Sequence, residues 1–196
     1  PLGKNQHQID AAVGGPFVTT GGMTIPVPYA VAGYAYGLND KLNVQGSLHI
    51  TTALYKTFGA ELGVGYEILR QDNWIPEIFL DARAFIGTDI KQTMFMPILT
   101  PVLSYEWAGW SPYIGIDNAF VFDGNDRWYS PQALAPLVGL RARVGGWQVG
   151  GEFKWLGANH DFTYADIERP TGLGNHGALA PYLYVNYKFG PKETEL

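Results

Sequence analysis

Cysteine is absent from the 196 residues, so no disulfide braces the chain and no thiolate is on offer as nucleophile or metal ligand. Charge is scarce as well. Asp, Glu, Lys and Arg make up 16% of the sequence, against about 25% in an ordinary soluble domain. A soluble protein of this size covers itself with such residues, so the shortfall points to an exterior that meets something other than water. No apolar run approaches the length of about 18 residues that a membrane-spanning helix needs. The net charge of −5 argues against nucleic acid as a partner, because that role usually calls for a basic surface. Gly-x-Ser-x-Gly is missing. Gly63-Val64-Gly65 lies inside a strand pattern and lacks the helix that a phosphate-binding loop requires. The start Pro1-Leu2-Gly3-Lys4 has no initiator Met and no export signal, and is expected to be processed or engineered, with any export signal already removed.

What the chain has in plenty is glycine and aromatics: 25 Gly, 12 Tyr, 10 Phe and 6 Trp. The dominant period is two. From Tyr113 to Phe122, Ile114, Ile116, Phe120 and Phe122 share one face, while Tyr113, Gly115 and Asp117 share the other. Successive strand side chains point to opposite sides, so this is a strand with one apolar face. Phe58–Leu69 repeats the rule, with Phe58, Leu62, Val64 and Ile68 opposed to Glu61, Gly63, Gly65 and Glu67. Pro76–Ile86, Leu137–Gly145, Trp147–Trp155 and Leu179–Phe189 do the same. A first strand is expected at Gln8–Val18, although Pro16 inside it is tolerated only at a strand end, edge or bulge. No helical period is found. The glycines are spread along the strands, which suits the packing and coiling of a small barrel.

Connectors alternate in length. Leu38–Lys41, Arg70–Trp74, Ala108–Ser111 and Gly145-Gly146 are short, whereas Thr19–Pro26, Asp89–Met96, Asp123–Ala133 and Ala158–Gly177 are longer. The break near Tyr55-Lys56 is short on the long-loop side. Short turns on one rim and long loops on the other are the habit of barrels that cross a membrane. The expected fold is all-β: a closed antiparallel up-and-down transmembrane β-barrel of about ten strands, eight being the alternative count. One domain, 1–190, holds the barrel, and the polar residues 191–196 form a tail.

Which face is outside decides the class, because a membrane barrel inverts the soluble order. One face carries Glu61, Glu67, Asp81, Arg83, Glu106, Asp117, Arg141, Arg143, Glu152, Lys154 and Lys188, with both signs in similar number beside glycines and tyrosines. This reads as a crowded lumen braced by ion pairs, since buried charges are costly unless paired. A ten-stranded barrel is only slightly wider than the size that side chains just fill. The same charges lining a selective pore are the competing reading, and a soluble lipocalin-like barrel holding lipid would reverse the faces. Trp74, Trp107, Trp110 and Trp147 fall at or beside short turns, and Tyr105, Tyr187 and Phe189 near strand ends of the same rim. Aromatics at one level form the girdle expected at a bilayer surface.

The closing segment Ala180-Pro181-Tyr182-Leu183-Tyr184-Val185-Asn186-Tyr187-Lys188-Phe189 resembles the terminal strand of Gram-negative outer-membrane proteins, which often end in alternating aromatics and a final Phe. Here seven residues follow Phe189. Tyr36-Gly37-Leu38-Asn39-Asp40-Lys41-Leu42-Asn43-Val44 resembles turns common in that superfamily. The resemblance implies an integral outer-membrane protein with periplasmic termini and no cofactor. Its partner would be the lipid bilayer, with lipopolysaccharide and envelope proteins as further candidates.

His160, Asp161, Asp166, Glu168 and His176 share one long loop, and such a set can bind metal or activate water. His160-Asp161 is similar to the His and Asp that omptin proteases, ten-stranded outer-membrane barrels, use at their outer rim. No paired-Asp motif matches on the facing strands, where Asp89 and Asp123-Gly124-Asn125-Asp126 stand. A solvated polar loop is the plainer reading. His49 falls on a polar strand face, as a hydrogen-bonded lumen histidine rather than a general base. No catalytic residue and no metal ligand is assigned. The expected role is a non-enzymatic structural or accessory barrel, with a place in an envelope complex as one form of it; the alternatives are a narrow pore for ions or small solutes, a rim enzyme of the omptin or lipid-modifying kind, and a soluble lipid-binding barrel.

Overall fold

A computed structural model describes residues 2–20, 22–54, 56–88, 93–123, 132–160, 169–170, 173 and 176–191. In it the ordinary placement of side chains is turned round. Leu62 is 69% exposed, while the side chain of its neighbour Glu61 is only 14% exposed. The alternation that makes a strand therefore also sorts greasy from ionic groups, with the greasy ones outside.

The elements in chain order are β1 (His7–Gly14), β2 (Phe17–Thr20), β3 (Met23–Pro26), β4 (Tyr29–Gly37), β5 (Leu42–His49), a short helix α1 (Ile50–Leu54), β6 (Phe58–Leu69), β7 (Glu77–Thr88), β8 (Thr93–Ser104), β9 (Trp110–Phe120), β10 (Phe122–Asp123), β11 (Gln132–Val144), β12 (Trp147–Leu156), β13 (Arg169–Pro170) and β14 (Ala178–Phe189). Ten of these close a ring of antiparallel neighbours: β1, β4, β5, β6, β7, β8, β9, β11, β12 and β14, the last pairing back onto the first. Closure gives each wall strand a neighbour on both sides, so the ladders satisfy the backbone without water except where β8 and β9 part at Thr100 and Pro101. β10 lies against Met94 and Phe95 of β8. β2, β3 and β13 form a separate three-stranded sheet at the loop rim.

The strands are steeply tilted, and the register shows it. His7 lies opposite Tyr36, which lies opposite Val44, and the row continues through Val64, Ala82, Leu99 and Asn118 to Leu134. This row leaves one rim at the first residue of β1 and reaches the other near the start of β11, as tilts of about 35–45° require. Short turns 38–41, 70–76, 105–109 and 145–146 lie on the rim that holds His7 and Phe189, and the longer connections lie on the opposite rim.

Several expected boundaries move. The first strand stops at Gly14 rather than Val18. Gly15 takes φ +133° and Pro16 has no N–H for a ladder, so the chain leaves the barrel there and Phe17–Thr20 pairs with Met23–Pro26 as a hairpin. Arg169–Pro170, expected as loop, pairs with β2. The loop placed at Asp89–Met96 gives way at Thr93, where β8 begins and pairs with Thr88. The break near Tyr55-Lys56 is preceded by α1, too short for a helical period to show. Residues 192–196 of the expected tail lie outside the described residues.

Outside the barrel stands an apolar belt that includes Ile9, Val13, Leu48, Leu62, Ile114, Val138, Val149 and Leu183, each well exposed. A soluble monomer rarely shows apolar patches beyond a few hundred Å². A continuous belt around a closed barrel is the lipid-facing band of a membrane-spanning one. Inside, the buried apolar residues Phe85, Ile98, Ala119, Ala135, Leu137, Ala178 and Ala180 share the lumen with ionic groups, Ala135 lying opposite Asp117 and Leu137 opposite Lys154.

Candidate functional site in the barrel lumen

Beside those apolar side chains stand the inward ionic ones. Arg83 points inward from β7 and sits among three carboxylates. Its Nε lies 2.9 Å from Asp81 Oδ2, its Nη1 3.5 Å from Glu61 Oε2, and its Nη2 3.1 Å from Asp117 Oδ1. Nη2 also reaches Thr100 Oγ1 at 3.2 Å. Asp117 is the junction. Thr100 Oγ1 donates to its Oδ1 at 2.5 Å, and Lys154 Nζ donates to its Oδ2 at 2.6 Å.

From Lys154 the path continues to Glu152 Oε1 at 3.3 Å. Tyr113 donates its hydroxyl to Glu152 Oε2 at 3.0 Å, and Tyr184 donates to Tyr113 at 3.1 Å. On the other side Glu61 Oε1 lies 3.2 Å from His49 Nε2, and Gln45 Nε2 donates to Asp81 Oδ1 at 2.6 Å. The path runs from β5 to β14 and crosses from wall to wall. Rings brace it. His49 meets Phe85 edge-on at 4.8 Å and Tyr29 at 5.3 Å, and Tyr29 meets Tyr182 at 5.5 Å.

Inward glycines make room for these groups. A Cβ on Gly139 would run into the Tyr113 ring, and one on Gly150 into the Tyr184 ring. Gly65 does the same for Phe79. The rings lie flat on the wall because the wall there has no side chain.

A second polar layer stands at the turn-side mouth. Arg141 donates to Ser104 Oγ at 3.3 Å and stacks over Tyr113 at 5.5 Å from the ring centroid. Ser104 donates to Glu77 Oε2 at 2.9 Å. Glu67 is 2% exposed and binds Arg70 Nε at 3.0 Å. Lys188 lies on the inward face of β14, opposite Gln8. Glu106 departs from its expected place on a strand face. It lies in the turn after Ser104, where Ala108 and Gly109 take φ +51° and +82°, and it pairs with Arg143 Nη2 at 3.0 Å, both half-exposed at the mouth.

Some members of the lumen set had a weaker sequence signal. Asp10 points inward beside Gly33, between the outward Ile9 and Ala11, in a segment whose strand period is broken by Pro16. Thr100 alternates with the outward Leu99 and Pro101, but the prolines of β8 hide its period.

Trp74, Trp107, Trp110 and Trp147 all stand at the turn rim, with Trp74 92% exposed. Trp147 packs on Tyr187 at 4.7 Å, and Tyr187 on Phe189 at 6.1 Å. At the loop rim His160 Nε2 lies 2.5 Å from the Gln132 carbonyl oxygen, and the His176 carbonyl accepts from Trp155 Nε1 at 2.9 Å. Both histidine segments are thus tied into the loop's own framework. Asp161, Asp166, Glu168, Asp89 and Gly124-Asn125-Asp126 lie outside the described residues. Among the described residues no three His, Asp or Glu side chains gather as a metal site.

No family model matches the chain, and no curated protein does. Among solved structures it is similar to the translocator domain of the autotransporter NalP from Neisseria meningitidis, with 9% identity, TM-score 0.49, and coverage of 96% of this chain and 90% of that one. It is also similar to the outer membrane protein OprG from Pseudomonas aeruginosa, with 14% identity, TM-score 0.36, and coverage of 96% and 98%. Ail, the attachment invasion locus protein of Yersinia pestis, gives 10% identity, TM-score 0.33, and coverage of 95% and 99%.

Proposed function

We propose that the chain is an outer-membrane barrel of a Gram-negative bacterium with a closed lumen, acting as a non-enzymatic structural or accessory component of the envelope. Its short turns and both termini face the periplasm, and its long loops face outward. The observation that carries this reading is the unbroken path of bonded side chains from His49 through Glu61, Arg83, Asp117, Lys154 and Glu152 to Tyr113 and Tyr184. Each link holds a charged or hydroxyl group that an open pore would leave to water. Opening the lumen means separating pairs whose desolvation has already been met, at several kcal/mol for each ion left alone.

Recording from the purified chain in planar lipid bilayers tests this. The expected result is no stable stepwise conductance. Long-lived conductance steps would overturn the closed reading. One observation favours a narrow pore as the second reading: Asp10, Glu61, Asp81, Asp117 and Glu152 outnumber Arg83 and Lys154 among inward groups at this level. Steps selective for cations would support it.

A further inference from the structure

On the outer wall of β6 to β9 the lipid-facing side chains are not level. Two neighbouring rows of the sheet run Leu62–Ala84–Pro97 and Val64–Ala82–Leu99. Ala82, Ala84 and Pro97 are short and their neighbours are tall, which leaves a trough of about 550 Å³ lined at its loop-side end by Phe120. The sheet is interrupted beside it. The β8–β9 ladder pairs Leu99 with Asn118 and Val102 with Gly115, but the pairs of Thr100 and Pro101 are missing. Pro97 and Pro101 have no N–H to give.

The trough is continuous with the apolar belt, since Leu62, Val64 and Leu99 on its banks belong to both. The phase that reaches it is therefore the bilayer interior. Among the described residues, Arg83 is the one polar residue in its lining, and the guanidinium is turned into the lumen and held there by Glu61, Asp81 and Asp117, so a headgroup finds nothing to bind there. A methylene chain gains contact on its floor and both banks, where a flat wall touches one side only, and those dispersion contacts add up along its length. Phe120 ends β9 at the loop rim, so the trough opens toward the loop-side leaflet. We propose that this trough is a discrete binding site for one acyl chain of a lipid of that leaflet. The site rests on the membrane-spanning barrel and is independent of whether the lumen conducts.

Native mass spectrometry of the full chain, with a phosphatidylethanolamine titrated into the detergent solution, tests the site. Wild type should keep one lipid at an activation energy that strips the rest. Ala84→Trp, which fills the floor, should cut that retained species at least fivefold, and Ala82→Phe is a second filling variant. Val149→Trp on the outer face of β12 should leave it unchanged. Heat-modifiable gel mobility reports whether each variant has folded. Absence of a retained lipid on wild type overturns the proposal without any variant. So does equal retention in folded Ala84→Trp. A wild-type dimer that Ala84→Trp splits would also overturn it, because the trough would then be a contact between two copies. Retention is read without regard to current, so its failure is distinct from failure of the closed-lumen reading.

Discussion

Lys154 Nζ lies 2.6 Å from Asp117 Oδ2, an ion pair that joins β12 to β9 over the intervening β11. Asp117 also takes Arg83 from β7 at 3.1 Å, so one carboxylate ties together strands on either side of its own. Asp117→Ala leaves two buried cations short of a partner. The expected loss is about 3–5 kcal/mol of unfolding free energy, read by urea unfolding in vesicles. Lys154→Ala removes part of the same network, so the double variant should cost less than the sum of the singles, by about 0.5–3 kcal/mol. Strict additivity would show that the pair does not act as a unit.

Gly139 and Tyr113 fit one another as hollow and ring. A methyl at 139 would strike the Tyr113 ring, pushing its hydroxyl away from Glu152 and Tyr184. Gly139→Ala should therefore destabilise the barrel by about 1–3 kcal/mol, as overpacking does. Gly151→Ala is the control. Its added methyl would face outward and meet Leu183 at an ordinary contact distance of 3.5 Å, so the effect should stay within about 0.5 kcal/mol. Equal effects at the two positions would mean that the rings do not depend on the glycines.

The parity of the strands was legible in the sequence because a residue's face follows from its position alone. Glu61 and Leu62, or Glu152 and Phe153, must point opposite ways whatever the rest of the chain does. What pairs with what was not legible. Asp117 meets Lys154 because tilt and register bring residues two strands apart to one level, and neither is written in a local pattern. Asp10 shows the cost of a local doubt: Pro16 clouded the whole segment, although the irregularity begins only at Gly15. The hairpin of β2 and β3 stayed hidden because Thr, Gly and Pro read as loop. Helix α1, at five residues, is too short to show a period.

Val185 offers a direct test of which face meets lipid. It pairs with Ala11 on one side and Val149 on the other, near the middle of β14 and of the belt. Val185→Arg should cost about 2–4 kcal/mol, the range for a cation on the lipid face near the midplane. Ala12→Ser, one residue from Ala11 but turned inward, should change stability by no more than about 0.5 kcal/mol. Urea unfolding in vesicles measures both. A tolerated arginine at 185 would show that this wall is not in hydrocarbon.

Trp74 and Trp147 share the turn rim but owe their surroundings to different things. Trp147 packs on Tyr187 at 4.7 Å, so part of its contribution comes from the protein itself. Trp74 is 92% exposed, so almost any stabilisation it gives must come from the bilayer interface, where an amphipathic ring is at home. Trp147→Ala should weaken the barrel both in detergent micelles and in vesicles. Trp74→Ala should be close to neutral in micelles and cost about 1–2 kcal/mol in vesicles, within the range for burying a large side chain. Unfolding each variant in both settings separates the two cases. A Trp74→Ala effect of equal size in both would place its partner in the protein and remove this residue from the girdle.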